Sequence, residues 1–379
     1  MIYLDNAATS YPKPERVIRK VEYVLKEVGG NPGRGAHRLS LYASRIVFSA
    51  RESLARLLKV RDSSRIAFTK NATEGINTVL KGMLRRGDHV IATAFEHNSV
   101  ARTLRRLEKE GIWVTKLRGS KRVDLVEPED VEAAITPRTR LVCIVHASNV
   151  LGTIQPVSEI GELLRKRDIP LMVDGAQTVG IIGVYPEEMN IDILVGTGHK
   201  ALYGPQGTGF VYIREGLEVE PLIDGGAAEG DQLFEMPERL ETGTLNTPGI
   251  GGLGEGVDFV LEEGLAKIRH HEKELVGYLL EELARIRGAT VLGPLNPEER
   301  VSLVSFTING VSPEEVGRLL DERFSIMVRC GTHCAPDAHR TAGTYPSGAI
   351  RVSPGYFNKR SHVEEFVRAV VSIRKELEG

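Results

Sequence analysis

Between residues 65 and 213, short apolar β-branched runs alternate with amphipathic helical stretches, and this alternation restricts the fold more than any other feature of the chain. The spacing predicts strands over 66–69, 89–92, 112–117, 140–146, 170–173, 191–195 and 209–213. Helices are predicted over 73–84, 100–109, 128–135 and 157–167. Strands that are apolar on both faces and separated by helices need cover on both sides. They imply an α/β fold with a mainly parallel, seven-stranded sheet. In such sheets ligands sit at the carboxyl ends of the strands. Nearly every polar residue singled out below follows a strand directly.

The flanks read differently. Residues 17–28 and 42–58 predict amphipathic helices, the second entered from Ser40. The Gly- and Pro-rich segment 29–37 between them predicts a loop. From residue 250 to 286 a single long helical stretch is expected. It is followed by a strand (302–308), a helix (313–323), a strand (326–329), a loop, a strand (349–352) and a terminal helix (363–377). That order describes a second, smaller α+β unit.

Composition narrows the function classes. Across 379 residues the formal net charge is -2, so no global basic field points to nucleic acid or a membrane surface. No apolar run approaches the ~20 residues of a membrane span. The start of the chain has neither the basic nor the apolar region of an export signal. The three cysteines, Cys143, Cys330 and Cys334, are too few and odd in number for a disulfide framework. A cytoplasmic, reducing compartment is the expectation.

The chemistry centres on Gly196-Thr197-Gly198-His199-Lys200, which follows the run 191–195. A lysine held among glycines at a strand end is placed to be desolvated. Burial disfavours the ammonium and leaves a nucleophilic amine, as a Schiff-base lysine requires. Two other readings exist: a solvated loop charge, and a Gly-x-Gly-x-x-Ala dinucleotide loop. The latter is weakened by its position deep in the chain and by Pro205, which spoils the helix that should follow. Asp174 ends an apolar strand, where a carboxylate serves either as a helix cap or as the partner of a protonated pyridine ring. Gln177, three residues on, is placed to donate to a ring oxygen. Thr73 opens a helix whose first turn offers free N–H groups to an anion, although capping alone also explains it. His97 and Asn149 follow strands, as stacking or hydrogen-bonding groups.

Cys334 lies in Arg329-Cys330-Gly331-Thr332-His333-Cys334-Ala335-Pro336, beside His and Arg, in the electropositive surroundings typical of reactive cysteines. Metal binding by Cys330, His333 and Cys334 competes, but the spacing is too tight for a usual zinc site, and no metal is expected. Cys143, mid-strand, reads as inert core. Arg351, in an apolar strand, wants a carboxylate, either a protein side chain or a ligand.

Taken together and in order, these residues resemble the class V aminotransferase family of fold-type I pyridoxal-phosphate enzymes. Within it they resemble the cysteine desulfurases, in the branch that also holds selenocysteine lyases. The likeness rests on Asn71-Ala72-Thr73-Glu74-Gly75-Ile76-Asn77, Glu96-His97-Asn98, Ser148-Asn149-Val150-Leu151-Gly152, Val173-Asp174-Gly175-Ala176-Gln177, Gly198-His199-Lys200, Glu241-Thr242-Gly243-Thr244 and the Arg-x-Gly-x-His-Cys-Ala pattern at 329–335.

The resemblance implies pyridoxal 5'-phosphate as cofactor, attached to Lys200, which later moves the Cα proton. It implies that Asp174 pairs the pyridine nitrogen, Gln177 meets the ring oxygen and His97 stacks on the ring. Ala72, Thr73, Thr197 and His199 are implied around the phosphate, with Thr244 reaching into the partner subunit's site in a homodimer. Asn149, Arg329 and Arg351 are implied at the substrate, Arg351 on its carboxylate. Cys334 is implied to take sulfur from L-cysteine as a persulfide and pass it to an acceptor protein, as in iron–sulfur cluster assembly. The family also implies a division into an N-terminal segment 1–14 on the small-domain side, a cofactor-binding domain 15–250 and a small domain 251–379 carrying the Cys334 loop. Cys330 occupies a variable place in the pattern and is open to pairing with Cys334, to relaying its persulfide, or to neither. The segment 337–343 is expected where an acceptor docks. A lyase or aminotransferase acting without a persulfide is the alternative activity.

Overall fold

The structure is a computed structural model that describes all residues except Arg34, Ala36, residues 226–234 and Gly379. Two positions of the expected 29–37 loop, Arg34 and Ala36, therefore lie outside the described residues. Strand β1 (Ile2–Tyr3) comes first, followed by the seven strands of the main sheet. These are β2 (Ile66–Thr69), β3 (His89–Thr93), β4 (Trp113–Leu117), β5 (Thr139–Val145), β6 (Leu171–Asp174), β7 (Ile193–Thr197) and β8 (Gly209–Ile213). Their spatial order is β2-β8-β7-β6-β5-β3-β4. All neighbours are parallel except β8, which runs antiparallel to both β7 and β2. The connection 198–208 is shorter than a parallel crossover needs, so β8 must return beside β7 in the opposite sense.

Period-two alternation sorts each central strand between two cores. Ile91, Val142, Ile144, Val173 and Leu194 join one apolar cluster, while Val90, Leu141, Met172, Ile193 and Val195 join the cluster on the other face. Cys143 belongs to the second of these and is fully buried, with burial pushing its thiol well above its ordinary value.

The second unit holds β9 (Ala289–Leu292), β10 (Val304–Ile308), β11 (Ile326–Met327), β12 (Arg329–Gly331) and β13 (Ala349–Val352). Four of them form an antiparallel sheet in the order β12-β13-β10-β9, while β11 pairs in parallel with β1. The expected strand 326–329 is thus two pieces serving two sheets. Strand β9 and the helix Pro336–Thr341 escaped the sequence reading, because each is short and flanked by turn residues.

The expected single helix over 250–286 is two helices, Thr247–Glu263 and Leu265–Arg285. Gly264 separates them at φ +82, a conformation that ends an α-helix and that glycine adopts without steric cost. The break divides the packing as well. Ile250, Leu253, Val257 and Val260 enter the larger core, against helices Glu15–Tyr23 and Arg38–Leu58. Leu275, Val276 and Leu279 enter the smaller core with Ile2 and Leu4. Helix Arg38–Leu58 is capped by His37, whose ring accepts from the Ser40 N–H, so it begins one turn before the position expected for its start.

A buried bidentate pair locks this helix to the sheet. Arg51 donates from Nη1 to Glu241 Oε1 at 2.7 Å and from Nη2 to Oε2 at 2.9 Å, and Glu241 also accepts the Phe68 N–H at 2.6 Å. Glu241→Ala strands a buried guanidinium and a strand N–H together. It is expected to lower stability by roughly 3 kcal/mol, read from the urea midpoint.

Candidate active site

The carboxyl ends of β3, β5, β6 and β7 open onto one cavity of about 190 Å³. Ala72, Thr73, His97, Asn149, Asp174, Gln177, Thr197, His199, Lys200, Arg329 and Arg351 all line it. Eleven of the thirteen expected site residues therefore converge, although they come from positions 72 to 351.

Lys200 sits in the turn after β7. The glycines before it serve packing against β8: a Cβ on Gly196 would lie 2.2 Å from the Phe210 ring. No helix follows Lys200, which removes the dinucleotide reading. The turn is pinned by residues the sequence did not flag. Thr9 Oγ1 and Lys13 Nζ donate to the His199 carbonyl at 3.0 and 2.8 Å, and Ser10 Oγ donates to the Lys200 carbonyl at 2.8 Å. Burial pushes the Lys200 amine down to about 8; Asp174 pulls it back, and Arg351 and Arg329 push it down further.

Asp174 is the last residue of β6 and is buried. Its Oδ1 accepts the Ala176 N–H at 3.0 Å, and no helix follows for it to cap. Burial raises its carboxyl, with Lys200 opposing. Gln177 Nε2 donates to the Ala7 carbonyl at 3.1 Å, which orients the amide at the cavity wall. His97 caps helix Asn98–Lys109: its Nδ1 accepts the Ser99 N–H at 3.1 Å, which leaves Nε2 to carry the proton of the neutral ring. Burial, then the positive charge of Lys200, brings this imidazole down to about 4, so it is uncharged at pH 7.

The helix beside the cavity, Ala72–Met83, is capped by Asn71 rather than Thr73, with Asn71 Oδ1 accepting the Glu74 N–H at 3.0 Å. Thr73 is exposed at the cavity rim and free for another role. Across the cavity, Thr197 Oγ1 and His199 Nδ1 are buried without a hydrogen-bond partner.

The small unit contributes two arginines placed directly opposite each other on β12 and β13. Like charges so close need anions. Arg351 is 1% exposed; its Nη2 meets Asp5 Oδ1 at 2.8 Å, its Nη1 donates to the Asn149 carbonyl at 3.1 Å, and its Nε has no partner. Both readings of Arg351 thus meet at one place: it has a protein carboxylate, and it retains a free donor in the cavity wall. Asn149 Nδ2 donates to the His333 carbonyl at 2.6 Å, and its Oδ1 is unpartnered.

Cys334 is not among the residues that line the cavity, but it is tied to one that is. Its Sγ accepts from Arg329 Nη2 at 3.2 Å, and Arg329 lines the cavity. Cys330 points elsewhere. Alternation along β12 turns it to the other face, where its sulfur packs against Gly317 of helix Pro313–Phe324 and burial pushes its thiol up to about 12. A Cys330–Cys334 pair, or a metal held by both, is therefore not built into this loop. Thr244 lies apart, lining a second cavity of about 140 Å³ with Thr69, Lys70 and Asn246. It does not reach the cavity of its own chain.

The chain matches the family described as aminotransferase class-V over residues 2–366. It is a member of the class-V aminotransferase family. Among the relatives of this member is a protein named probable cysteine desulfurase from Methanothermobacter thermautotrophicus, 35% identical, with 96% of this chain and 92% of the relative covered. A cysteine desulfurase of Salmonella agona is 33% identical, with 100% and 94% covered. The solved apo structure of the cysteine desulfurase from Thermococcus onnurineus NA1 superposes with a TM-score of 0.93 at 33% identity, over 99% of this chain and 95% of that one. The Escherichia coli cysteine desulfurase CsdA, solved as its S-sulfonic acid, gives 0.86 at 28%, over 99% and 94%.

Class-V aminotransferases are pyridoxal-phosphate enzymes, and the residues here fit that group. A buried amine whose pKa burial lowers to about 8, a buried carboxylate, and two unsatisfied polar atoms facing a helix N-terminus across the cavity match its aldehyde, ring nitrogen and phosphate.

Because burial favours the uncharged amine, Lys200 loses its proton at lower pH than a surface lysine. Reductive methylation of Lys200 in cofactor-free protein is expected to rise with pH around a midpoint near 8, whereas exposed lysines follow near 10. Peptide mass spectrometry across a pH series reads both.

Proposed function

We propose that this class-V aminotransferase is a cysteine desulfurase that converts L-cysteine to L-alanine and collects the sulfur on Cys334. The observation that carries the reading is the Cys334 thiol, held by the guanidinium of Arg329, which lines the same cavity as Lys200.

Pyridoxal phosphate, when bound, supplies the electron sink that makes the Cα proton of an amino acid removable. Lys200 would hold the cofactor and would move the Cα proton; an amine tuned to about 8 suits that task near neutral pH. Asp174 would keep the ring nitrogen protonated, Gln177 would meet the ring oxygen, and neutral His97 would cover the ring face. Ala72, Thr73, Thr197 and His199 would hold the phosphate. Asn149 and Arg351 orient the substrate, with the free Arg351 Nε available to its carboxylate and Arg329 beside it. The Cys334 sulfur then attacks the substrate sulfur. The carbon–sulfur bond breaks, its electron pair stays on Cβ and takes up a proton, and alanine leaves. Substrate plus thiol equals alanine plus persulfide, so the step needs no external oxidant. The persulfide passes to an acceptor protein, with cytoplasmic iron–sulfur cluster assembly as the expected consumer. No described helix is long and apolar enough to cross a membrane, and all three cysteines are free.

The active form is a homodimer. Thr244 stands away from its own cavity, and Ile18, Tyr23, Leu41, Tyr42 and Phe48 are exposed along the two N-terminal helices, with Leu25 just past the end of the first, an apolar surface that a second copy would cover. Sedimentation is expected to give twice the chain mass at micromolar concentration, and Thr244→Val is expected to weaken cofactor retention about tenfold through the partner's site.

Cys334→Ala is expected to keep the cofactor absorbance and lose alanine formation from cysteine by more than a hundredfold. Lys200→Ala should lose the absorbance itself, and Cys330→Ser should leave persulfide on Cys334 unchanged. Alanine formation that persists in Cys334→Ala would instead establish the lyase or aminotransferase activity.

A further inference from the structure

Two buried histidines lie behind Cys334 and take no part in the chemistry above. His333 is 2% exposed and His339 is 0% exposed. Their rings sit 5.3 Å apart, joined from His333 Nδ1 to His339 Nε2 at 3.2 Å. His333 Nε2 meets the Arg329 carbonyl at 3.2 Å, and His339 Nδ1 meets Thr344 Oγ1 at 2.7 Å.

One end of this chain sets the direction of the rest. A carbonyl only accepts, so His333 Nε2 carries the proton. In a neutral ring, His333 Nδ1 is then an acceptor, and His339 Nε2 must donate to it. His339 Nδ1 is bare in turn and accepts the hydrogen bond that the Thr344 hydroxyl donates. The result is a one-way run from Thr344 through His339 and His333 to the Arg329 backbone, ending at the residue whose side chain holds Cys334.

The loop needs such a hold. His333 and Cys334 adopt φ +48 and +59, the left-handed region, which costs a side-chain-bearing residue about 1 kcal/mol or more. From the large unit, Asn149 grips the His333 carbonyl, and the Asn98 N–H donates to the Cys334 carbonyl at 2.8 Å. From the other side, the histidine run and the Arg329 side chain reach the turn. Its base is anchored too: Asp337, in the same short helix as His339, meets Lys116 Nζ from β4 at 2.8 Å.

We propose that Thr344, His339 and His333 form a hydrogen-bond relay that holds Cys334 in its left-handed turn with the sulfur on Arg329, and that they are positioning residues for the sulfur-transfer step. The proposal rests on the desulfurase reading of Cys334. His333 itself lines the cavity and meets Asn149 and Arg329 through main-chain carbonyls. The His339 and Thr344 end of the relay lies outside the lining, so loss of the Thr344 hydroxyl acts on sulfur capture rather than on Lys200 or the phosphate cradle.

Thr344 is partly exposed, so Thr344→Val removes the hydroxyl at nearly constant shape with little risk to folding. In the holoenzyme this variant is expected to slow single-turnover persulfide formation on Cys334 about tenfold. The cofactor absorbance, its change on adding cysteine and the KM for cysteine should stay at wild-type values. Thr344→Ser, which restores the hydroxyl, should recover the rate. His339→Leu should act in the same direction and more strongly, while His339→Gln, which keeps a donor to His333, should retain part of the rate. Hydrogen exchange over residues 329–344 in the resting holoenzyme should speed up in the Val variant and return to wild type in the Ser variant. This arm needs no turnover, so it tests the relay even if the wild type forms no persulfide and the desulfurase reading fails. Unchanged exchange in Thr344→Val overturns the relay. Faster exchange with an unchanged persulfide rate overturns its positioning role.

Discussion

A guanidinium removed from water has to find acceptors, and Arg351 finds them in segments that are remote in sequence. Its Nη2 meets Asp5 near the start of the chain, and its Nη1 meets the Asn149 carbonyl after β5 of the main sheet. The arginine itself stands on β13 of the smaller sheet. One buried charge thereby ties together the N-terminal segment, the large unit and the small unit at the wall of the cavity. Removing the carboxylate partner of such a group leaves a buried, uncompensated charge, so the three pieces are held in mutual register by a strong penalty for separating them. Arg329, directly opposite on β12, adds a second positive charge that Asp5 alone does not balance. Beside this second charge, Arg351 Nε is left without a partner.

The same economy appears on the opposite side of the cavity. Lys200 and His199 offer their carbonyls to Thr9, Ser10 and Lys13, so the first residues of the chain fix the turn that carries the reactive amine. The amine is then free of structural duty, and burial tunes it. Lys200 and Cys334 are supported by different frames: the N-terminal segment and β7 for one, the histidine run and Arg329 for the other. Two reactive groups with separate supports can be tuned independently, which suits a reaction whose two halves need a base and a nucleophile at different moments.

Much of this was legible beforehand. Apolar runs alternating with helices gave the seven strands because burial on both faces demands that pattern. Lys200, Asp174, His97 and Asn149 were visible because each follows a strand, where the sheet opens onto its ligand. Other features were not. Asn71, not Thr73, caps the helix, since either side chain satisfies the local rule and only geometry separates them. The helical stretch over 250–286 hid a break, because one glycine in an apolar pattern carries no sign of its own φ. Asp5, Ser10 and Lys13 gave no local signal at all; their partners lie hundreds of residues away or across the sheet.

Local periodicity and residue type carry the alternation of elements, the residues at strand ends and the class of chemistry they serve. Which of those residues meet follows from the folded chain. Folding turned Cys330 away from Cys334 through strand alternation, set Thr244 apart from the cavity of its own chain, and brought His339 against His333. Those outcomes depend on register, on the handedness of single turns and on contacts between distant segments, none of which is written in any short stretch of residues.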